Sequence, residues 1–402
     1  MLTLRPIRPM SQTNGKQEPI YLDHHATTPT DERVVEAMQP YFTEVFGNPS
    51  STDHTYGAEA GQAVQRARSQ IAEAINADSS EIVFTSGATE ANNLAVDGVV
   101  GHYAEPGAHV ITCVTEHKAV LDPCKDLRDD GYDVTFLPVN SQGMIDLDDL
   151  RDAIRPDTVL ISLMAANNEI GVLHPLTEIG RIAQEHEVLF HTDATQALNY
   201  IPLDVEEMNI DLMSLSGHKI YGPKGIGALY VRGISPTVRL KEQIRGGGQE
   251  KGRRSGTLNV PGIVGFGKAA EIAIEEQAEE AERVRKLRDE LWEQLQVELG
   301  GIKLNGHPDK RLPNNLNVAV PGVESQALIV QLKDRVALSR GSACTTGRVE
   351  ESHVIDAIDD EGDKRFSSIR LGLGRNNIES NIPKTALHFS NSINVLKNVS
   401  SM

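Results

Sequence analysis

A lysine that ends a buried strand can do carbonyl chemistry. Leu212 to Leu215 is a short apolar run that reads as a strand, and it leads straight into Ser216-Gly217-His218-Lys219 and a glycine-rich turn. Sheltered among small residues, Lys219 loses its charge at modest cost, and a neutral lysine forms a Schiff base with an aldehyde. A loop lysine is ordinarily a solvated surface charge, so Lys219 gains its meaning from three other segments. In the first, Asp193 follows the apolar run Val188, Leu189 and Phe190, at the C-terminal end of a strand. A buried aspartate there needs a cationic partner, or else it caps a helix from Ala194 onward. Pyridoxal phosphate offers the cation, its protonated ring nitrogen, and a lysine Schiff base facing an aspartate is the recurring arrangement around that cofactor. Gln196, three residues on, is close enough to donate to the ring hydroxyl. In the second segment, Ser86-Gly87-Ala88-Thr89 follows the strand Ile82 to Phe84 and opens a helix. Free N–H groups at such a start, with the Thr89 hydroxyl, suit a phosphate; the same residues serve equally well as a helix cap.

The third segment is the GSACTTG run, with Cys344 among small residues. The chain has three cysteines, Cys113, Cys124 and Cys344, and no Cys-x-x-Cys pair. That excludes a zinc ribbon or a disulfide framework and fits a reducing compartment. Cys113 sits in an apolar strand and reads as a small buried hydrophobe; Cys124 follows Pro123 near a helix start. Cys344 lies in a Gly/Ser/Thr loop, a poor place to pack and a good place for an accessible thiol.

These positions need a scaffold, and alternating strand and helix signals supply one. Helical patterns cover Asp31 to Phe46 and Ala58 to Ala77. From Ile82 onward, strands at Val110-Ile111, Val134 to Pro138, Val159 to Met164, Leu189-Phe190, Leu212 to Leu215 and Ala228 to Val231 alternate with helices at Ala119 to Asp129 and Leu176 to Glu185. Such alternation predicts an α/β fold with a mostly parallel sheet flanked by helices, whose ligands bind beyond the carboxyl ends of the strands. Gly262 to Leu299 reads as one long helix with Ile272, Ala278, Ala281, Val284, Leu287, Leu291 and Leu295 as its buried stripe and EEQAEEAE as a solvated face. Beyond it, Leu316 to Val318 and Ile369 to Leu371 read as strands of a smaller C-terminal domain. The expected division is an N-terminal extension at 1–18, a segment at 19–30 packing on the small domain, a large domain at 31–268 and a small domain at 269–402 that carries the Cys344 loop. A chain of 402 residues holds two such cores. Its formal charge of −18 argues against general nucleic-acid binding, and no apolar run reaches membrane-spanning length. The first residues lack the apolar core of a signal peptide, so a cytoplasmic location is expected.

The motifs YLDHHATTP (21–29), FGNPSS (46–51), IVFTSGATEANNLA (82–95), TEHKAVL (115–121), NNEIGV (167–172), DATQ (193–196), SGHKIYGPKGIGALYVR (216–232), GGGQE (246–250), RSGT (254–257), RGSAC (340–344) and SSIRLGLGR (367–375) follow one another in a single order. In this the chain strongly resembles the cysteine desulfurases of the pyridoxal-phosphate fold-type I superfamily, specifically the class of the bacterial iron–sulfur-cluster desulfurases. The resemblance implies that Lys219 carries the cofactor, Asp193 pairs its ring nitrogen and Gln196 its ring hydroxyl. It implies that His117 stacks on the ring and moves protons at the substrate sulfur. Ala88, Thr89, Ser216 and His218 would hold the phosphate, joined by Thr257 from the other subunit of a homodimer. Asn168 and Arg370 would hold the substrate carboxylate, Arg370 by a bidentate pair, and Cys344 would take the sulfur as a persulfide. No resident metal is implied, although Cys344 could touch a nascent iron–sulfur cluster. L-cysteine is the implied substrate, and an iron–sulfur scaffold or a tRNA-thiolation relay the implied acceptor. A selenocysteine lyase, another fold-type I enzyme or a silent sulfur-relay scaffold are the rival readings.

The chain departs from the family pattern in places. Arg340 stands where a serine is usual, and its charge would either lower the Cys344 thiol pKa or clash with movement of the loop. Gly372 replaces another serine and is expected to loosen a strand. The stretch after the last helix is short where the family has a scaffold-docking tail.

Overall fold

A computed structural model describes residues 18–234, 236–339, 352–359 and 366–400. Cys344, Arg340 and most of the expected N-terminal extension lie outside the described residues. In chain order the strands are β1 (Ile20–Tyr21), β2 (Ile82–Thr85), β3 (His109–Cys113), β4 (Asp133–Leu137), β5 (Thr158–Ser162), β6 (Leu189–Asp193), β7 (Leu212–Ser216), β8 (Gly227–Val231), β9 (Lys303–Leu304), β10 (Asn315–Pro321), β11 (Val336–Ala337) and β12 (Phe366–Gly372). The helices are α1 (Glu32–Met38), α2 (Pro40–Thr43), α3 (Thr55–Glu73), α4 (Ala88–Tyr103), α5 (Lys118–Asp129), α6 (Leu147–Ala153), α7 (Leu176–Glu185), α8 (Val260–Leu299), α9 (Ser325–Leu332), α10 (His353–Ile358) and α11 (Asn381–Ser400).

Seven strands form the central sheet in the order β2-β8-β7-β6-β5-β3-β4. All neighbours are parallel except β8, which runs antiparallel to both β2 and β7. The strands are nearly continuous apolar runs because both faces are buried. Successive residues serve opposite faces: Val83, Val110, Leu160 and Leu212 pack in one cluster, while Phe84, Ile111, Ile161 and Met213 pack in the other. A three-stranded antiparallel sheet, β12-β10-β9, carries a separate core with α9, α11 and the end of α8. The N-terminal strand β1 pairs in parallel with β11, and Leu22 is buried in this second core.

Two expected helices differ. The Asp31–Phe46 pattern is broken into α1 and α2 at Gln39, because Pro40 has no N–H to continue the ladder and takes the first position of the next helix. The long helix α8 is continuous, but its stripe is not as expected. Ala278 faces solvent, while Glu280 is buried and paired with Arg283 at 2.7 Å. Glu280 lies four residues before Val284 and shares its face; Ala278, six before, does not. Gly372 does not loosen its strand. It pairs with Asn315, donates to Leu22 O at 2.7 Å, and lies so close to the N-terminal segment that a Cβ would come within 2.8 Å of His25 Cδ2. Among the described residues no helix is long and apolar enough to cross a membrane.

Candidate active site

β2, β6 and β7 are mutually parallel in direction, so their carboxyl ends share one edge of the sheet. Ser86, Asp193 and Lys219 therefore meet there, around a cavity of about 510 Å³ lined by Ala88, Thr89, His117, Asn168, Gln196, Ser216, His218 and Arg370 as well. Asp193 is the last residue of β6 and lies in register with Ser214 of β7, two residues before Ser216. Its carboxylate is held from behind: Asn92 Nδ2 donates to Oδ2 at 2.7 Å and the Thr195 N–H to Oδ1 at 2.9 Å. Asn92 was not singled out from sequence. The available signal was an amide on the buried face of α4, where an unpartnered polar group would be costly.

Lys219 ends a single 3-10 turn after β7, and its Nζ donates to the carbonyls of His25 and Ala26, the latter at 3.0 Å. The turn is locked by Tyr221, a non-glycine residue with φ of 63°. Tyr221 N–H donates to Thr28 Oγ1 at 2.9 Å, its hydroxyl accepts from Arg375 N–H at 2.8 Å, and the Arg375 guanidinium lies 4.3 Å over its ring. Arg375, at the end of SSIRLGLGR, also reaches Asp31, the N-cap of α1, at 2.8 Å.

The phosphate end is built from backbone and small side chains. α4 starts at Gly87 with no side-chain cap, leaving its first amides open to a ligand. The Ser216 hydroxyl is buried and has no hydrogen-bond partner among the described residues, which fits an anion that the protein itself does not supply. His218 Nδ1 lies 3.1 Å from Thr27 Oγ1, and burial pushes its pKa down to about 4. Thr257 is exposed and is not among the residues lining this cavity. In the segment just before Thr257, Arg254 pairs with Glu90 at 2.7 Å and Lys251 reaches Ser80 O at 3.1 Å.

His117 caps α5, its Nδ1 accepting the Ala119 N–H at 3.1 Å. That bond leaves the proton on Nε2 in the neutral ring. Burial pushes its pKa down, with the Lys219 and His353 charges adding to the effect and Asp193 opposing it. Arg370, on β12, donates to Asn168 O at 2.9 Å, to Ser339 Oγ at 2.9 Å and to Asp23 Oδ1 at 3.0 Å. Asp23 thus draws the YLDHHATTP segment onto the guanidinium. Cys113 and Cys124 are both buried, and burial, helped by Glu116, pushes each thiol up to about 12.

A mostly parallel sheet flanked by helices, with a smaller C-terminal sheet, is the architecture of pyridoxal-phosphate fold type I, and here an uncapped helix start, a carboxylate and a lysine meet at its parallel strand ends. The aminotransferase class-V profile matches residues 20–384. Cysteine desulfurase IscS of Anaeromyxobacter dehalogenans (strain 2CP-C) is 51% identical over 96% of this chain and 95% of its own length. A solved NifS-like protein superposes with a TM-score of 0.87 at 36% identity, over 94% of this chain and all of its own. A structure of SspA in complex with cysteine does so with a TM-score of 0.78 at 38% identity, over 89% of this chain and all of that one. The chain belongs to the class-V aminotransferase family and, within it, to the cysteine desulfurases.

Proposed function

We propose that this enzyme takes the sulfur of L-cysteine onto Cys344 with pyridoxal phosphate bound at Lys219. The observation that carries the reading is the convergence of Lys219, Asp193 and the uncapped start of α4 on one cavity at the strand ends. When bound, the cofactor acts as an electron sink that makes the substrate Cα–H acidic and the Cβ–S bond labile. Lys219 would hold it covalently and, once released, move the Cα proton. Asp193 would keep the ring nitrogen protonated, with Asn92 fixing its carboxylate. Gln196 would donate to the ring hydroxyl. Ser216, His218, Thr89 and the Ala88 amide would bind the phosphate, with the partner subunit's Thr257 completing the set in a homodimer. Arg370 and Asn168 would orient the substrate carboxylate. His117 would cover the ring and offer its Nε2–H near the substrate sulfur. The Cys344 thiolate attacks that sulfur; an S–S bond forms, the Cβ–S pair stays on Cβ, and Cβ takes a proton. Cysteine and thiol thus become alanine and persulfide with no outside oxidant. An iron–sulfur scaffold or a tRNA-thiolation relay would then receive the sulfur, in the cytoplasm. The large domain 31–268 holds the cofactor in this reading, and 269–402, with 19–30 packed on it, carries the cysteine loop.

Borohydride reduction followed by peptide mapping should fix the cofactor on the peptide containing Lys219, and L-cysteine with a thiol reductant should yield alanine and sulfide. A keto acid product would make the chain an aminotransferase instead, and a colourless protein without product would make it a silent scaffold.

A further inference from the structure

Two groups that hydrogen-bond in one direction only fix a buried chain that ends at Gln196. At one end the backbone carbonyl of His25 can only accept, and it takes an Nε2–H of Gln196 at 3.0 Å. The nitrogen end of that amide therefore faces the carbonyl, and Oε1 faces His25 Nδ1 at 3.1 Å. An amide oxygen only accepts, so Nδ1 carries the proton. At the other end the Arg311 guanidinium can only donate, and Nη2 reaches Asn315 Oδ1 at 2.9 Å. That turns Asn315 Nδ2 toward His25 Nε2, 3.1 Å away, which must then be the bare nitrogen. The two ends demand the same tautomer independently. Charging the ring would set N–H against N–H at Asn315, and the ring is fully buried beside Arg370, Lys219 and His24, all of which oppose a further positive charge.

Arg311 is itself anchored. It is buried and donates to the carbonyls of Ile170, Asn305, His307 and Asn315. The chain thus runs from a fixed guanidinium four residues before β10, through Asn315 and His25, to the edge of the cavity, where Gln196 is a lining residue.

We propose that His25 is a positioning residue that sets the Gln196 amide, through its own Nδ1–H and its own carbonyl, so that the remaining Nε2–H is offered to the cofactor's ring oxygen. This rests on the reading that pyridoxal phosphate is carried on Lys219 with Gln196 at its ring hydroxyl. A donor there stabilises the oxygen as an anion and so lowers the pH at which the lysine–cofactor linkage gives up its proton. An amide released from His25 can rotate and present Oε1 instead, which removes that stabilisation. The His25 ring does not touch the reacting atoms; the contact with Lys219 is made by the backbone carbonyl, which every substitution keeps, and the ring acts through Gln196.

Two substitutions separate positioning from mere packing. An asparagine amide nitrogen lies near the place of Nδ1, so His25→Asn keeps a donor for Gln196 Oε1. A glutamine amide nitrogen lies near the place of Nε2, so His25→Gln does not. The visible band of the cofactor-loaded protein is titrated with pH for both, for Gln196→Ala and for the double variant. His25→Gln and Gln196→Ala should each raise the midpoint by about half a pH unit or more, on the scale of one hydrogen bond to a charged group. The double variant should move no further than either, since the two act as one unit, and His25→Asn should keep the parent midpoint. A His25→Gln protein with the parent midpoint, changed only in thermal stability, overturns the proposal. Cofactor that borohydride fixes elsewhere than Lys219, or a Gln196→Ala midpoint equal to the parent's, overturns the underlying site reading, and with it the role of His25. Should His25→Gln not fold, nitrogen-15 NMR of the parent protein decides alone: a His25 ring protonated on Nε2 instead of Nδ1 overturns the proposal.

Discussion

Cysteine chemistry in this chain is decided by where each thiol sits. Cys113 and Cys124 are buried with thiols pushed up to about 12, so at neutral pH neither offers the thiolate that attacks sulfur. Cys113→Ala and Cys124→Ala should keep most of the alanine-forming activity, at about 1 kcal/mol of stability each for the lost packing, read by denaturant titration. Cys344→Ala should behave in the opposite way. In the proposed reading cofactor and substrate binding rest on Lys219, Asn168 and Arg370, none of which depends on that thiol. The variant should stay yellow and change its spectrum with L-cysteine, yet form almost no alanine, and mass spectrometry should find one added sulfur on Cys344 in the parent protein alone. Alanine production at the parent rate would show that a thiol other than Cys344, such as free cysteine or the added reductant, takes the sulfur directly.

At the scale of elements, the turn that carries Lys219 is shaped by segments far away in sequence. β12 and the residues after it lie against His24, His25 and Tyr221 with no room for a side chain at 374. A Cβ there would come within 2.3 Å of His24 Cδ2 and 2.4 Å of the Tyr221 hydroxyl. Gly374→Ala should therefore displace Tyr221 and the lysine turn, lowering stability by about 1–3 kcal/mol and weakening cofactor retention. A variant with the parent melting temperature and an unchanged visible band would show that the turn does not depend on this contact. The start of α8 is packed in the same manner, since a Cβ on Gly267 would meet Ala67 Cα of α3 at 2.6 Å.

For the whole molecule, buried histidines set the response to acid. Burial holds His24, His174 and His218 at about 4 and His25 at about 3, all below the unfolded value of 6.5. The unfolded chain therefore binds more protons as pH falls below 6.5, and stability is lost from there down to the folded values. Each such ring removes up to about 1.4 kcal/mol per pH unit in that window. Glu116, Asp97 and Asp211, whose carboxyls burial holds above the usual range, act with the opposite sign and favour the fold at low pH. The lowered histidines, with His109, His117 and His191 held down as well, outnumber these three acids, so the melting temperature should fall steadily from pH 7 to pH 4.5; a flat profile would contradict their burial. Assembly is the other property at this scale. Thr257 is exposed on its own chain, and a role at the partner's phosphate makes Thr257→Ala weaken cofactor binding about tenfold or more, the effect of one charge-assisted hydrogen bond. Active protein that sediments as a monomer would remove that role.

Local sequence determined the parts that depend on a few neighbouring residues. Short continuous apolar runs marked the strands, and small residues after them marked Ser86, Asp193 and Lys219 as strand-end groups, because any parallel sheet brings such ends to one edge. Pro40 was equally readable as a break but was overridden by the apolar periodicity around it. Tertiary structure alone decided the orienting groups. Asn92 behind Asp193, Asp23 on Arg370, Arg375 over Tyr221 and the Arg311–Asn315–His25–Gln196 chain join residues up to several hundred positions apart. A histidine or asparagine carries no local mark of which nitrogen will be protonated or which end will face a ligand. Those choices follow from the directions of hydrogen bonds, and directions exist only once the two sheets have been folded against each other.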